Sequence, residues 1–376
     1  MPVEISKTAE RVRFGLVGCG SIGPTHAASI RQLSEVADLV AIADKVPERA
    51  QKLAQKFGVS KIYTTDDELI ADPEIEAVSF CTPSGMHADQ AVKAMRAGKH
   101  VVVEKPMDVS LAACDRMIAA EKETGRKLAI ISQHRFDSAS VFVRDAVQSG
   151  KLGKLVLCDM SVKWYRTQDY YDSGDWRGTW AMDGGGCLIN QGVHTVDLLQ
   201  WLAGPVESVS ARMITGAAHA RIEVEDVVVA SLKFKNGAIG TLTASTSCYS
   251  GQPARVDLFG TEGSAIIEGD RLKYFSLKDG TTATAETASR HAQSVASGGT
   301  ASVKDEGATR LAEDGAKETK EIGAVWGDAH TAQLRDFVTA IRTGTTPAIH
   351  GTEGRKPLEI IMAVYESAKT GREVRL

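Results

Sequence analysis

The chain has 376 residues, of which 44 are Lys or Arg and 48 are Asp or Glu, so its formal net charge is 44 − 48 = −4. This balance excludes the strongly basic surface expected of a protein that binds nucleic acid or an anionic membrane. The length predicts two domains, because single hydrophobic cores rarely grow beyond about 250–300 residues.

The sequence shows no sign of export or of a membrane anchor. No stretch of ~20 predominantly apolar residues is visible, so no transmembrane helix is predicted. Residues 1–13 carry mixed charges without an apolar run, which is not typical of a secretory signal. The six cysteines have no C-x-x-C or metal-ligand spacing. We therefore expect free thiols, a cytoplasmic location and no metal site.

The first third of the chain alternates short apolar runs with helical patterns. Strands are expected at Val12–Val17, Leu39–Ala43, Lys61–Thr64, Ala77–Cys81, His100–Val103 and Leu128–Ile131, and helices at Ser21–Leu33, Pro47–Phe57, Ala88–Met95 and Leu111–Glu123. Continuous apolar strands that alternate with helices predict a parallel sheet covered on both faces. The expected fold of residues 1–132 is therefore an α/β doubly wound, Rossmann-type domain.

The pattern changes after about residue 150. Strands are expected at Leu155–Tyr165, Val206–Ile214, Asp226–Phe234, Ala238–Thr246, Ala254–Phe259, Ser264–Glu268 and Leu272–Leu277, with one helix at Val193–Leu202. Most of the links between these strands are short and rich in turn residues, which predicts antiparallel pairing. Residues 133–376 are thus expected to form an α+β domain with one large, mostly antiparallel sheet.

The C-terminal part opens with a long polar stretch. Residues 279–325 are rich in Ala, Thr, Ser, Gly and Glu, and we expect a mobile, irregular excursion there, with order gained only against a neighbouring subunit as the alternative. Helical patterns return at Thr331–Arg342. A last helix is expected to open at Pro357, to run over 357–370 before Gly371, and to pack near the first domain.

A glycine-rich turn follows the first predicted strand. Gly18, Gly20 and Gly23 have G-x-G-x-x-G spacing and open a helix, which predicts that the helix N-terminus binds the pyrophosphate of a dinucleotide. Asp44 ends the second strand, 44 − 23 = 21 residues after the last glycine. An acidic side chain there accepts hydrogen bonds from ribose hydroxyls and favours NAD over NADP. The cations Lys45 and Arg49 keep NADP open as the alternative.

Two further motifs lie after predicted strands. The run "TPS" with a later His87 follows the fourth strand, and "EKP", residues 104–106, closes the fifth. In the second half, "GGGCLINQGVHTVDLLQWLAGP" contains Asn190 and His194. These motifs resemble the Gfo/Idh/MocA family, named for glucose–fructose oxidoreductase and inositol dehydrogenase. The resemblance covers about residues 11–375 and is weakest over 279–325.

The resemblance implies an NAD-dependent oxidoreductase that moves hydride between nicotinamide and a secondary alcohol or ketone of a sugar or sugar derivative. Lys105 would hydrogen-bond the reacting oxygen, and His194 would take the hydroxyl proton, with Asp197 available to orient it. The expected cofactor-binding residues are Gly18, Gly20, Ser21, Ile22, Gly23, Asp44, Thr82, Pro83, His87, Glu104 and Lys105. We expect Glu104 to orient the Lys105 ammonium.

The chain departs from the inositol dehydrogenase pattern at Asn190, where such members carry Asp. An amide exchanges hydrogen bonds but cannot take a proton. The proton transfer is therefore assigned to His194 and Lys105, and Asn190 is expected to position the substrate. A cyclitol substrate becomes less favoured on this reading.

An aromatic and arginine-rich segment precedes the glycines. Its rings and guanidinium groups suit the C–H faces and hydroxyl edges of a pyranose. The expected substrate-binding residues are Tyr165, Arg166, Trp176, Arg177, Asn190 and His194. We also expect His134 or Arg135 to touch nicotinamide or substrate. His330 is expected at the surface, with a position at the cleft as the alternative. His26 is expected to be structural, with a cofactor contact as the alternative.

Two other functions stay open at the level of the sequence. One is a glycosidase of the same family that retains NAD and oxidises its substrate transiently. The other is a sensor that binds sugar or NAD without turnover. The large sheet of the second domain is expected to form a homodimer or homotetramer. The identity of the sugar and the direction of the reaction are left undetermined.

Overall fold

The computed structural model describes residues 11–296 and 322–376, except for the side chains of 322–328. The described residues divide into two compact units. The N-terminal unit comprises 11–133 and 322–355, and the C-terminal unit comprises 134–296 and 356–376. The domain bounds drawn from the sequence stay a prediction.

The strands in the described part of the chain, in order, are β1 Val12–Val17, β2 Ala37–Ala43, β3 Lys61–Tyr63, β4 Ala77–Phe80, β5 His100–Val103, β6 Leu128–Ile130, β7 Leu155–Lys163, β8 Val206–Ile214, β9 Val227–Phe234, β10 Ile239–Ser245, β11 Arg255–Gly260, β12 Gly263–Glu268, β13 Arg271–Leu277 and β14 Val374–Arg375. The helices are α1 Gly23–Gln32, α2 Pro47–Phe57, α3 Asp66–Ala71, α4 His87–Arg96, α5 Leu111–Thr124, α6 Ser138–Gln148, α7 Gln168–Asp172, α8 Val193–Ala203, α9 Ala285–Ala296, α10 Ile322–Thr343 and α11 Gly351–Thr370.

The N-terminal unit is built on a six-stranded sheet. Its order is β3-β2-β1-β4-β5-β6, and every pair is parallel. Val12, Phe14 and Leu16 of β1 are fully buried, as expected for a central strand covered on both faces. The prediction of a doubly wound Rossmann-type sheet is confirmed. Because this order reverses between β1 and β4, the carboxyl ends of these strands form the edge at which such folds bind ligands.

The C-terminal unit is built on an eight-stranded sheet with the order β13-β12-β11-β7-β10-β9-β8-β14. Two runs of hairpin-linked strands, β8–β10 and β11–β13, flank β7. The pairing of β7 with β10 is parallel and the other pairs are antiparallel. The predicted large, mostly antiparallel sheet is confirmed.

Helices α3, α6, α7 and α9 were not predicted from the sequence. In α3, Thr65 and Glu68 form a reciprocal capping box, and this short polar pattern is a start signal rather than an apolar repeat. In α6, the apolar residues Ala139, Phe142, Val143 and Ala146 form one buried face, with Asp137 at the N-cap. This spacing of i, i+3, i+4 and i+7 is the helical period.

The excursion expected over 279–325 is wrong at residues 285–296 and 322–325, where the structure has helices. Residues 285–296 form α9, whose Ala288 is buried and whose His291 ring packs edge-on against Phe142 at 5.3 Å. Helix α10 already begins at Ile322. The remainder of the stretch, 297–321, lies outside the described residues. Aromatic contacts at a few positions thus support a helix that its mean composition does not suggest.

The last helix begins at Gly351, six residues before Pro357, where we expected it to open. Proline lacks the N–H that a helix interior requires, so its usual place is the first turn of a helix. Gly351 and Gly354 lie against Ile118 and Ile130, where an added Cβ would come within 3 Å of those side chains. These two glycines therefore allow the first turn of α11 to pack closely against the two isoleucines. No helix in the described ranges combines the length and the apolar character that crossing a lipid bilayer demands.

Candidate active site

The three glycines of the turn between β1 and α1 have different surroundings. Gly18 has φ +96°, and an added Cβ would lie 2.5 Å from the Cys81 carbonyl oxygen. A Cβ on Gly23 would overlap the carbonyl of Gly18. A Cβ on Gly20 would meet nothing within 4 Å. The protein's own packing requires the first and third glycines, whereas Gly20 borders open space, so the turn fits the phosphates of a dinucleotide.

Asp44 lies just beyond the end of β2 and is bound to this turn. Its Oδ2 accepts a hydrogen bond from the Cys19 amide at 2.7 Å, and its Oδ1 accepts one from the Val46 amide at 2.8 Å. These bonds fix the carboxylate while leaving lone pairs for ribose hydroxyls. Burial, with Asp44 as the second cause, raises the pKa of the Cys19 thiol to about 12, so this cysteine stays protonated in the turn.

The predicted cofactor residues after β4 lie at the same edge of the sheet. The Thr82 hydroxyl donates to Gln90 Oε1 at 2.6 Å. The His87 ring is fully buried, with Nε2 2.9 Å from the Thr82 carbonyl oxygen and Nδ1 2.9 Å from that of Pro106. Burial lowers the pKa of His87 against both contacts. His87 thus links the turn after β4, which contains Pro83, to the turn that follows β5. Ser21 and Ile22 complete the first turn, immediately before α1.

A buried cluster of His26, Glu104 and His330 lies behind Lys105. His26 Nδ1 is 2.7 Å from Ser79 Oγ, and its Nε2 is 2.8 Å from Glu104 Oε1. His330 Nε2 is 3.7 Å from the same oxygen. Burial raises the pKa of Glu104, but the hydrogen bond to His26 and the nearby His330 ring outweigh it and hold the pKa well below its usual range. The Glu104 carboxylate is therefore ionised.

His330 is 1% exposed, so the prediction that it lies at the surface is wrong. Helix α10 packs on α1 and brings its ring to 5.5 Å from that of His26. Glu104 Oε2 accepts a hydrogen bond from the Lys105 backbone amide at 3.0 Å. The cluster thus positions the backbone of Lys105, which follows β5 at the carboxyl edge of the sheet and is partly exposed.

In the C-terminal unit, His194 lies in the first turn of α8 and is partly exposed. The His134 ring approaches it edge-on, with centroids 5.0 Å apart. His134 Nδ1 lies 2.7 Å from Asp137 Oδ2 and 3.1 Å from Asp270 Oδ1. Burial lowers the pKa of His134, but the two carboxylates outweigh it and raise the pKa to about 10. An imidazolium therefore lies beside His194 at neutral pH.

The carboxylate that we expected to orient His194 is bound elsewhere. Asp197 accepts two hydrogen bonds from Arg135, at 2.7 Å from Nε and 2.5 Å from Nη2. Both side chains are almost fully buried. This bidentate pair joins the segment before α6 to α8. The sequence spacing of His194 and Asp197 placed them on one helix, but the partner of Asp197 comes from 62 residues away.

Asn190 lies in a π-helical turn, Cys187–Gly192, that leads into α8. Its Nδ2 donates to Asp183 Oδ1 at 2.6 Å, and Asp183 Oδ2 accepts from the Gly178 amide at 2.9 Å. The Asn190 amide nitrogen is therefore directed to Asp183, and its Oδ1 serves as an acceptor. Sequence reasoning missed Asp183. The available signal was an acid directly before three consecutive glycines.

The Glu225 side chain holds the turn that carries Asn190 by hydrogen bonds. It is fully buried and accepts hydrogen bonds from the Gly186 amide at 2.8 Å, the Leu188 amide at 2.9 Å and the Tyr365 hydroxyl at 2.8 Å. Burial raises the pKa of Glu225 to about 7 against these bonds. A Cβ on Gly185 would overlap Tyr365, and one on Gly186 would overlap the Glu225 carbonyl oxygen. The turn that carries Asn190 is thus held to Glu225 by hydrogen bonds and by close packing at Gly185 and Gly186.

The aromatic segment lies in the same unit. Tyr165 is 38% exposed and packs edge-on against Tyr249. Arg177 packs on the Trp176 ring and Arg166 on that of Trp164. Arg177 and Arg166 also lie 4.4 Å and 5.3 Å from the ring centroid of Tyr170, which joins these two arginines and their tryptophans into one group of rings and guanidinium groups.

Gln191 links Asn190 to this group. Its Nε2 lies 2.9 Å from the Tyr170 hydroxyl and 3.5 Å from Asn190 Oδ1. The C-terminal unit thus brings Tyr165, Arg166, Trp176, Arg177 and Asn190 into a connected set of contacts around Tyr170 and Tyr249.

Comparison with known families gives two matches. The NAD-binding Rossmann-fold model of an oxidoreductase family matches residues 12–132. The GFO/IDH/MocA C-terminal domain model matches residues 141–266. Together these segments span most of both described units.

Comparison with individual proteins agrees. The chain is 26% identical to the myo-inositol 2-dehydrogenase of Thermotoga maritima, over 97% of this chain and 98% of that enzyme. It is also 26% identical to the scyllo-inositol 2-dehydrogenase (NAD(+)) of Bacillus subtilis, over 97% and 96%. The WlbA dehydrogenase from Bordetella pertussis, solved in complex with NADH and UDP-GlcNAcA, superposes with a TM-score of 0.84 at 32% identity, over 98% of this chain and 99% of that one.

Proposed function

The chain belongs to the Gfo/Idh/MocA family of NAD-binding oxidoreductases, and from this premise we propose that it oxidises a secondary alcohol of a sugar or sugar derivative, or reduces the corresponding ketone. The observation that carries the proposal is the open space at Gly20, in a turn whose other two glycines are required by packing. Relatives named for inositol oxidation and a relative in complex with NADH and UDP-GlcNAcA support the substrate class.

In this proposal the first turn of the Rossmann sheet binds the cofactor. The amides at the start of α1 bind its phosphates, and Asp44 binds the ribose hydroxyls, which favours NAD over NADP. When bound, NAD supplies the acceptor and donor of hydride.

His194 takes the proton of the substrate hydroxyl. An imidazole suits this task near neutral pH. The neighbouring His134 carries a positive charge, and two adjacent imidazolium ions repel each other. The Asp137 and Asp270 carboxylates fix His134. Because these two carboxylates offset the charge of His134, they reduce its repulsion of a protonated His194.

Lys105 donates a hydrogen bond to the reacting oxygen. Its backbone is fixed by Glu104, itself held by His26 and His330. An ammonium aimed at an oxygen that gains negative charge stabilises the transition state. Asn190, held by Asp183, accepts a hydrogen bond from a substrate hydroxyl.

A screen for NADH fluorescence tests the proposal. Purified protein with NAD is assayed against free sugars, anhydrosugars, sugar phosphates, nucleotide sugars and inositols. We expect NADH formation with at least one carbohydrate, and its loss in Lys105→Ala with NAD binding retained. Glycoside cleavage without net NADH, or binding without any turnover, would contradict the proposal and favour the glycosidase or the sensor.

We further propose that the eight-stranded sheet forms the interface of a homodimer or homotetramer. Leu157 and Ile239 are cross-strand neighbours, and Val229 and Ile214 lie on the same face by the pairing register. These four side chains are between 37% and 60% exposed, and such an apolar group is typical of an association surface. Light scattering is expected to show an oligomer that Ile239→Asp dissociates; a monomeric wild type would contradict it.

A cytoplasmic location is also proposed. All six cysteines are free thiols, and five of them are buried. Free buried thiols are typical of a reducing compartment. Fractionation of cells that express the chain tests this, and recovery from an oxidising compartment would contradict it.

A further inference from the structure

Two arginines of the C-terminal unit pack on the same tyrosine. The guanidinium carbon of Arg177 lies 4.4 Å from the Tyr170 ring centroid, and that of Arg166 lies 5.3 Å from it. Each also packs on a tryptophan, Arg177 on Trp176 at 4.4 Å and Arg166 on Trp164 at 5.2 Å. The aromatic faces therefore restrict both guanidinium groups before any ligand arrives.

The described residues do not neutralise these two charges. Arg177 Nη1 donates to the Tyr170 hydroxyl at 2.6 Å, and Arg166 Nη1 lies 3.5 Å from the Tyr165 carbonyl oxygen. Arg166 Nε is buried and has no hydrogen-bond partner among the described residues. In the same part of the chain, no carboxylate forms an ion pair with either guanidinium. Most of the donors of two arginines are thus left unused.

Two of the nearby acids are engaged elsewhere. Burial raises the pKa of the Tyr170 hydroxyl, and Asp183 adds to this shift. The Asp183 oxygens accept hydrogen bonds from the Asn190 side chain and the Gly178 amide. Asp172 pairs with Arg221 at 2.6 Å. These two carboxylates are therefore not available to either guanidinium group.

This group is connected to the candidate substrate residues. The Tyr170 hydroxyl is bonded to Arg177 and also to Gln191 Nε2 at 2.9 Å. Gln191 follows Asn190 directly and lies 3.5 Å from its Oδ1. A ligand that reaches Asn190 thus has the two guanidinium groups within one or two side chains of it, inside the same unit.

We propose that Arg166 and Arg177 bind an anionic group of the substrate, a carboxylate or a phosphate, so that the substrate is a charged carbohydrate rather than a neutral sugar. The planar fork of a guanidinium matches the oxygens of both groups. An anion would supply acceptors that the described residues do not provide to these two guanidinium groups. This inference rests on the proposed function and narrows its substrate class.

The expected effect on kcat and KM follows from the distance between the bound anion and the reacting carbon of the substrate. An anion held away from the reacting carbon contributes equally to the ground state and the transition state, so its loss raises KM and leaves kcat nearly unchanged. Salt should weaken the same interaction, because the guanidinium groups are partly exposed.

The test compares five probes with NAD present: glucose, glucuronic acid, glucose 6-phosphate, UDP-glucose and UDP-glucuronic acid. Binding to the full chain is measured by calorimetry, and turnover by NADH fluorescence. We expect at least one anionic probe to bind ~10-fold or more tightly than glucose. The uronic acid and phosphate arms show which anion the arginines prefer.

Variants assign the effect to the two arginines. Arg166→Gln and Arg177→Gln should each raise KM or Kd for the preferred anionic probe ~10-fold or more, with kcat within about 2-fold. Arg166→Lys keeps the positive charge but loses the planar guanidinium. Its KM or Kd for the same probe should lie between the values of the wild type and of Arg166→Gln. Arg221→Gln is the matched control, because Arg221 already pairs with Asp172, and it should change neither constant.

The outcomes separate this inference from the proposed function. Anion binding that depends on the two arginines, without turnover of any probe, would support the inference and count against the proposed function. Turnover of a sugar without preference for any anionic probe over glucose would support the proposed function and count against the inference. If none of the anionic probes binds more tightly than glucose, or if both glutamine variants bind them as the wild type does, the inference is wrong.

Discussion

Two glycine-rich turns of this chain look alike in sequence and differ in what surrounds them. In the turn before α1, Gly18 and Gly23 are required by backbone contacts, but an added Cβ on Gly20 would enter open space. In the turn before α8, Gly185 and Gly186 both lie against the protein itself, at Tyr365 and at the Glu225 carbonyl. The first turn leaves room for a ligand, and the second is filled by its own unit.

The difference shows two physical reasons for a glycine. A glycine that borders open space allows a phosphate to approach the backbone. A glycine that borders a carbonyl allows two chain segments to pack at a distance that no side chain permits. The second turn uses this close packing to fix Asn190, which hydrogen-bonds Asp183.

The largest effect is expected from Gly186→Ala. The added Cβ would overlap the Glu225 carbonyl oxygen, and neither backbone segment can yield without breaking the contacts around Glu225. We expect a loss of about 4 kcal/mol or more in the free energy of unfolding, measured by urea denaturation. Gly20→Ala is the matched control and should be within ~0.5 kcal/mol of the wild type. Equal losses in both variants would remove the distinction between the two turns.

The carboxyl group that supports the second turn should make stability depend on pH. The pKa of Glu225 is raised to about 7 by burial, so the folded state binds a proton that the unfolded state releases above about pH 4.5. Its contribution is fully present below pH 4.5 and is lost as the pH rises through 7, by up to about 3 kcal/mol.

Glu225→Gln separates this effect from every other titration. Urea unfolding of both proteins between pH 4.5 and 8 should show that the wild type loses stability relative to the variant. The variant itself should be less stable at low pH, because one of the amide or hydroxyl donors would face its NH₂ group. Parallel pH curves would show that Glu225 does not titrate in this range.

Asn190→Asp should impair catalysis. A carboxylate at 190 would face Asp183, which now accepts from the Asn190 amide at 2.6 Å. Two carboxylates at this distance cannot both ionise without strong repulsion. We expect kcat/KM on the native substrate to fall ~10- to 100-fold.

The exchange variant, Asp183→Asn with Asn190→Asp, is the control because it restores one carboxylate and one amide. It should recover part of the loss. If Asn190→Asp is as active as the wild type, or if the exchange variant is no better than the single one, Asp183 does not determine the orientation of residue 190.

The smallest effect is expected from Gly20→Ala on cofactor binding. Its Cβ would occupy the open space without touching the protein, so folding should be unaffected while the phosphates are kept from the backbone. The Kd for NAD, measured by calorimetry, should rise ~10-fold. An unchanged Kd would show that the phosphates bind elsewhere.

The predictions that sequence reasoning made correctly rest on local signals, although it did not find every local signal. The spacing of Gly18, Gly20 and Gly23 after an apolar strand predicted the first turn, and Val206–Ile214 was predicted with the bounds that β8 has. Both patterns lie within a few residues of chain. The signals for α3 and α6 were also local, a capping box and an apolar face, and were missed.

Contacts between distant segments were beyond this reasoning. His330 was expected at the surface because nothing near it in sequence shows that α10 packs on α1 beside His26. Asp197 was expected to serve His194 because they share a helix, whereas its partner Arg135 comes from another element. The partners of a buried polar group are set by tertiary packing, which spacing along one helix does not reveal.

The most direct test of the proposed chemistry is the pH dependence of kcat for His194→Ala beside the wild type, with NAD affinity measured as a control for folding. If His194 takes the hydroxyl proton, the kcat of His194→Ala near neutral pH should be ~10²- to 10⁴-fold below that of the wild type. This deficit should shrink as the pH is raised, because hydroxide replaces the missing base. NAD affinity should be unchanged. A His194→Ala protein with kcat close to that of the wild type at every pH would contradict the assignment and place the base on another residue.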